Sequence, residues 1–222
     1  MKRVIENKID SFEKKRVWLA LLPSIVFVSL LWISFAMNAA GLFGSDFSQF
    51  GILPREIKGL RGIVFSPFIH SSVSHIASNT LPLLILIQFL FYFYSKIAFS
   101  TFAYLWFLSG ILTWIIGRGY YHVGASGIVF SIMFFLFFSG VFRKSIQLIA
   151  VSLIVAFVYG STVWSIFPIA ELVDSSISWE GHLAGTLSGL VIAVALRHQG
   201  PQKIEKVWED EEENELDEIS EN

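Results

Sequence analysis

Six stretches of this chain are apolar for long enough to cross a lipid bilayer, and nothing constrains its fold more. They cover residues 17–40, 75–95, 98–117, 124–142, 145–168 and 181–196. A spanning helix needs about 20 apolar residues, because each rises about 1.5 Å and the hydrocarbon core is about 30 Å thick. Hydrophobicity on all sides at that length predicts lipid-facing helices, and the short alternating segments of a membrane barrel are missing from the sequence. Composition agrees. Apolar residues make up 54% of the 222 and charged residues 15%, with 22 phenylalanines. A soluble domain, about 25% charged on average, could not hide so much apolar surface, and a disordered chain would not carry it. The expected fold class is an all-α membrane protein, a six-transmembrane-helix bundle. There is no cysteine, which excludes disulfides, thiolate metal sites and a cysteine nucleophile.

Charge divides the chain into three parts. Residues 1–16 carry six basic side chains, and the apolar stretch behind them is longer than the core of a signal peptide, so an uncleaved first span is expected. With the N-terminus cytoplasmic, 12 Lys and Arg fall on the inner side and 4 (Arg55, Lys58, Arg61 and Arg118) on the outer. Positive charge favours the cytoplasmic side, so both termini are expected inside. Residues 17–198 form the expected six-span body, with a long outer loop at 41–74. That loop is apolar enough to lie partly in the membrane interface. Residues 199–222 read as an acidic, disordered cytoplasmic tail, since ten of the 18 positions from 205 onward are Asp or Glu. No internal repeat of the transporter kind is visible.

Polar groups inside a membrane are expensive and usually functional. Span two opens with His75 and carries Asn79 one turn later. Span four opens Gly124-Ala125-Ser126-Gly127, and span six opens Gly181-His182-Leu183-Ala184-Gly185. Counting to the first basic residue at the inner end, Asn79 is 17 residues from Lys96, Ser126 is 17 from Arg143, and His182 is 15 from Arg197. These counts correspond to roughly 22–26 Å of helix. The three side chains therefore lie at one depth below the outer surface, with His75 about 6 Å higher.

Serine and histidine at one depth permit nucleophilic acyl transfer. A serine hydroxyl attacks only when a base takes its proton, and histidine has a suitable pKa. Ser126 opens a helix, where free backbone N–H groups and the positive dipole end stabilise developing negative charge. Gly124 and Gly127 permit close approach of backbone and substrate. His75 and Asn79, four residues apart, share a helix face and can donate to one oxyanion. Gly185 and Gly189 form a GxxxG pair on the face of His182, which lets that helix pack closely against a neighbour. Glu180 and Asp174 are the nearest acids, both expected in the loop before span six, so a Ser-His dyad is expected rather than a triad.

These motifs, His75-x-x-x-Asn79, Gly124-Ala125-Ser126-Gly127 and Gly181-His182-Leu183-Ala184-Gly185-x-x-x-Gly189, resemble those of the rhomboid family of intramembrane serine proteases, in its basic six-span bacterial and archaeal form. The resemblance covers about residues 55–196. It implies Ser126 as nucleophile, His182 as general base, and His75, Asn79 and the Ser126 amide as the oxyanion hole. It further implies a structural role for Arg61, matches His70 to an additional histidine of the family, and suggests Trp164 and Phe167 as lining of a lateral gate. Where many bacterial members have Tyr stacked on the catalytic histidine, this chain has Phe130. Ring stacking can persist there, but the hydroxyl is gone.

The implied substrates are single-span or multi-span membrane proteins in the lipid bilayer, cleaved near the outer face of a transmembrane segment. Nucleic acid is not an expected partner. No metal and no cofactor are expected: HExxH is missing, and no carboxylate lies beside the histidines in a span. His122, four residues before Ser126, reads as a surface loop residue with bordering the site as the alternative, and His198 as uninvolved. The competing functions are a catalytically silent rhomboid-like chaperone or trafficking factor, and a transporter or channel. The second is disfavoured by the apolar inner halves of the spans, such as Ile132-Met133-Phe134-Phe135-Leu136. A prokaryotic cell membrane is the expected location.

Overall fold

A computed structural model of the chain describes residues 2–42, 46–169 and 178–202. Helices occupy all six predicted stretches. They are α1 (Lys2–Ala39), α2 (Val73–Phe93), α3 (Ala98–Ile116), α4 (Ser126–Arg143), α5 (Ile146–Tyr159) and α6 (Trp179–Ala195). Among the described residues there is no strand, only an isolated bridge between Ile52 and His122. Four helices are long and apolar enough to cross a membrane: Ser11–Ala39 within α1, then α2, α3 and α4. At 14 residues, α5 is shorter than the predicted 145–168. The chain tightens into 3-10 turns over Gly160–Ile166. This happens at Gly160, whose backbone freedom disfavours a continuing α-helix. The last helix, α6, has 17 residues. α1 begins at Lys2 and so runs through the basic segment as well as the first apolar stretch. Of the predicted acidic tail, residues 203–222 lie outside the described residues, as does Asp174.

The centre of the bundle is α4. Ile128, Phe130, Ile132, Phe135 and Leu136 on it are all at most 2% exposed. On one side α4 meets α6, which also reaches α3, where Ser188 donates to the Leu105 carbonyl at 3.2 Å. α1 lies along α2, tied near one end by the Trp32 indole N–H to Thr80 (3.1 Å) and near the other by Arg16 to the Tyr92 carbonyl (2.9 Å).

The long loop between α1 and α2 is built rather than slack. It contains 3-10 turns at Phe47–Phe50, Ile57–Arg61 and Ser66–Phe68, and one α-turn at Gly62–Phe65. It folds tightly on itself: a Cβ on Gly62 would lie 2.2 Å from the Ile52 nitrogen. It is also fastened to α3. The Trp106 and Trp114 indoles donate to the carbonyls of Ile63 (2.8 Å) and Glu56 (2.9 Å), and Arg55 donates to that of Gly117 (2.8 Å). Arg61 remains inside the loop, donating to the Gln49 carbonyl at 2.9 Å beneath the Phe50 ring.

Candidate active site

Ser126 is the first residue of α4, so its N–H belongs to the group of helix-starting amides without intrahelical acceptors. The turn before it depends on Gly124, whose φ of +105° disfavours any other L-residue. A side chain there would also strike His75, since a Cβ would sit 2.7 Å from its Nε2. Ser126 lines a cleft together with Ser66 and Pro67 of the long loop, Ser109 and Thr113 of α3, and Gly181 of α6.

The helix bearing His182 reaches this point through glycines. A Cβ on Gly185 would lie 2.3 Å from the Gly127 carbonyl oxygen, and one on Gly189 would lie 2.5 Å from that of Ser131. Backbone therefore meets backbone along α4 and α6, as the GxxxG face predicts. Across this seam the Phe130 ring stacks on the His182 imidazole, with centroids 4.4 Å apart and planes 16° apart. His182 is 9% exposed.

Its partner is not a carboxylate. His182 Nδ1 lies 3.1 Å from the Ser165 carbonyl oxygen and 2.9 Å from the Ser165 hydroxyl. The carbonyl accepts from an Nδ1–H, and in that tautomer the Ser165 hydroxyl oxygen can accept from it too while Nε2 keeps its lone pair. Glu180, one of the two nearest acids in the sequence, instead pairs with Arg118. No hydrogen bond joins Ser126 to His182 among the described residues. Such contacts are often loose before substrate binds.

On α2, the Asn79 amide donates to the His75 carbonyl at 3.0 Å and meets His70 Nε2 at 3.3 Å. His70 and His75 stand ring edge to ring face, 4.9 Å apart. His75 Nδ1 faces the Ser71 hydroxyl at 3.3 Å. His70 is 3% exposed, and burial pushes its pKa down to about 3, so it is neutral at physiological pH. The structure thus brings His75 against Gly124, beside Ser126, and holds Asn79 one turn deeper, with no hydrogen bond from either side chain to Ser126 among the described residues.

Two residues escape the sequence reading. Ser165 lies 17 positions from His182 in an aromatic stretch with no motif to mark it. His122, expected on the surface with bordering the site as the alternative, is 4% exposed and lines the same cleft as Ser126. Its position four residues before Ser126 was the available signal. Trp164 and Phe167 are 71% and 46% exposed, on the 3-10 stretch and just beyond it.

A family model for the rhomboid domain matches residues 58–199. The chain belongs to the rhomboid family. Rhomboid proteins are typically intramembrane proteases, and this one is an integral multi-pass membrane protein by family and by its four long apolar helices. Among its relatives are uncharacterized proteins of Mycobacterium bovis and Mycobacterium tuberculosis, each 35% identical over 180 residues, which cover 78% of this chain and 73% of theirs. One of Mycobacterium leprae is 31% identical over 181 residues, with 78% and 69% covered. The rhomboid match spans every candidate site residue: His75, Asn79, Ser126, Gly127, Phe130, His182, Gly185 and Gly189.

Proposed function

We propose that this protein is an intramembrane serine endopeptidase acting through a Ser126–His182 dyad. The observation that carries the reading is the state of His182. Its Nδ1–H is committed to Ser165 and its ring is clamped by Phe130, which leaves the Nε2 lone pair as a base at the seam where α4 begins. Nε2 takes the proton of Ser126 Oγ as that oxygen attacks a peptide carbonyl. The tetrahedral oxyanion is stabilised by the Ser126 amide at the helix N-terminus, with His75 as a further donor and Asn79 as one when its amide turns from His70 to the oxyanion. His182 then gives its proton to the departing amine, and water, activated by the same nitrogen, releases the acyl group. No metal or cofactor enters the cycle.

In this reading all six helices cross the membrane and both termini are cytoplasmic. The cleft opens to the outer face of a prokaryotic cell membrane. Substrates are transmembrane segments of other membrane proteins that unwind easily near that face, because a helical peptide bond is shielded by its own hydrogen-bond ladder.

The test uses the purified full chain in detergent and in liposomes with a model single-span substrate. Ser126→Ala and His182→Ala should each reduce cleavage by at least about 10³-fold, while the folded fraction stays unchanged. A fluorophosphonate should label wild type and not Ser126→Ala. Cleavage by either mutant at the wild-type rate overturns the assignment. A wild type that neither cleaves nor labels favours the silent chaperone reading.

A further inference from the structure

Outside the dyad, one polar chain runs from the loop before α4 to the first turn of α6. The Arg118 carbonyl oxygen lies 3.1 Å from His122 Nε2, and His122 Nδ1 lies 2.6 Å from the Ser178 hydroxyl. The Ser178 oxygen, the N-cap of α6, accepts from the Gly181 N–H at 3.2 Å. The direction of every bond follows from chemistry. A carbonyl cannot donate, so His122 Nε2 carries the proton and Nδ1 accepts from Ser178. That fixes the hydroxyl hydrogen and leaves the Ser178 lone pairs facing the amide of Gly181, the residue before His182.

Burial holds the His122 pKa below its ordinary value, which keeps this tautomer neutral. The groups around it are Arg118 and Glu180, which pair with each other, and the Tyr120 ring stacked at 4.5 Å. Arg118 holds both Glu180 carboxylate oxygens, and Glu180, 1% exposed, is two residues before His182. On its other side the His122 backbone exchanges two hydrogen bonds with Ile52, N–H to carbonyl at 2.8 Å and carbonyl to N–H at 2.9 Å. The long loop, the α3–α4 loop and the start of α6 are therefore joined through one histidine.

We propose that His122, Ser178 and Glu180 are positioning residues that set the first turn of α6, and with it the height and angle at which His182 faces Ser126. This inference rests on the protease reading. An N-cap and an ion pair whose carboxylate is buried fix a backbone already in contact with α4. Displacing a base by about 1 Å costs on the order of 100-fold in rate.

The experiment compares wild type with Ser178→Ala, Ser178→Thr and Glu180→Gln, each as the full chain. It reads kcat, KM, the fluorophosphonate labelling rate of Ser126 and the thermal midpoint. Ser178→Ala and Glu180→Gln should lower kcat and labelling by about 10- to 100-fold with KM within about twofold. Ser178→Thr, which keeps the hydroxyl, should restore most of the rate. The midpoint is the control: the rate loss should persist in the folded, monodisperse fraction. Wild-type kcat in both disruptive variants overturns the proposal. So does a rise in KM alone, which would make the turn a substrate contact. A wild type that neither cleaves nor labels removes the protease reading itself and is distinguishable from both.

Discussion

The three helices that carry the candidate site, α2, α4 and α6, are held in opposite ways at their two ends. At the Ser126 end a cleft opens where α4 and α6 begin, walled also by the long loop and α3, and the contacts among the three site helices are glycine seams, a stacked ring and short polar bridges. At the far end a single buried cation joins all three. The Arg143 guanidinium, at the close of α4, donates to Ser139 on the same helix. It also donates to the carbonyls of Leu196 (2.6 Å) and Gln199 (2.5 Å), just past α6. It lies 5.3 Å over the ring of Tyr94, which caps α2 and donates its hydroxyl to Ser139 at 2.7 Å. The last carbonyls of a helix attract positive charge. One end is thus closed by charge, carbonyls and an aromatic face, while the other stays open for polar chemistry. Chemistry below a membrane surface needs small residues and unpaired lone pairs, which are weak glue. A firm tie at the opposite end lets the site end be loosely filled.

Arg143 is where the closed end is most vulnerable. Arg143→Met removes the tie but keeps bulk. It should cost about 3 kcal/mol, read as a lowered midpoint of detergent or thermal denaturation. Cleavage per folded molecule should change by less than about threefold, because no dyad atom is touched. If Arg143→Met instead abolishes cleavage by fully folded protein, the division between a structural end and a chemical end is wrong.

Gly185→Ala strikes the other end. The added Cβ meets the Gly127 carbonyl, a backbone atom that cannot swing away, so α6 must move off α4. Overpacking of this kind costs about 2 kcal/mol. Stability should therefore fall less than in Arg143→Met, whereas kcat should fall by at least about tenfold, because His182 shares the displaced helix. The crossed pattern, stability loss at one end and rate loss at the other, is what the comparison requires.

Much of this was readable from sequence because it follows chain periodicity. The apolar stretches and the glycine face of α6 depend only on spacing along a helix. The common depth expected for Asn79, Ser126 and His182 rests only on that spacing and on a bilayer of fixed thickness. What was unreadable depends on which distant segments meet. Arg143 reads as a basic boundary marker at the end of a span, yet it is 5% exposed; its carbonyl partners are backbone and leave no trace in residue type. Ser165 is one serine among many until α5 gives way to 3-10 turns and brings it to His182. His122 sits in a short Gly-flanked loop, where surface exposure is the usual outcome. Pairing with Ile52, closure by Ser178 and the stacked Tyr120 ring bury it.

The smallest expected effect concerns the ring on His182. Phe130→Leu keeps an apolar side chain on a buried face but removes the stack, which is worth about 0.5–1.5 kcal/mol. Nδ1 remains held by Ser165, so His182 keeps its tautomer and loses only a restraint on ring orientation. A fall in kcat of about two- to tenfold, with KM unchanged, is therefore expected, and Phe130→Tyr should retain the wild-type rate within about twofold. These values are measurable against the Gly185→Ala background, where α6 has already moved. If the stack acts by holding His182 over the seam, Phe130→Leu should add little to Gly185→Ala, because the ring has lost its partner. Full additivity of the two losses would show that Phe130 acts through the packing of α4 alone, and that the site end is held by its helices and not by the ring.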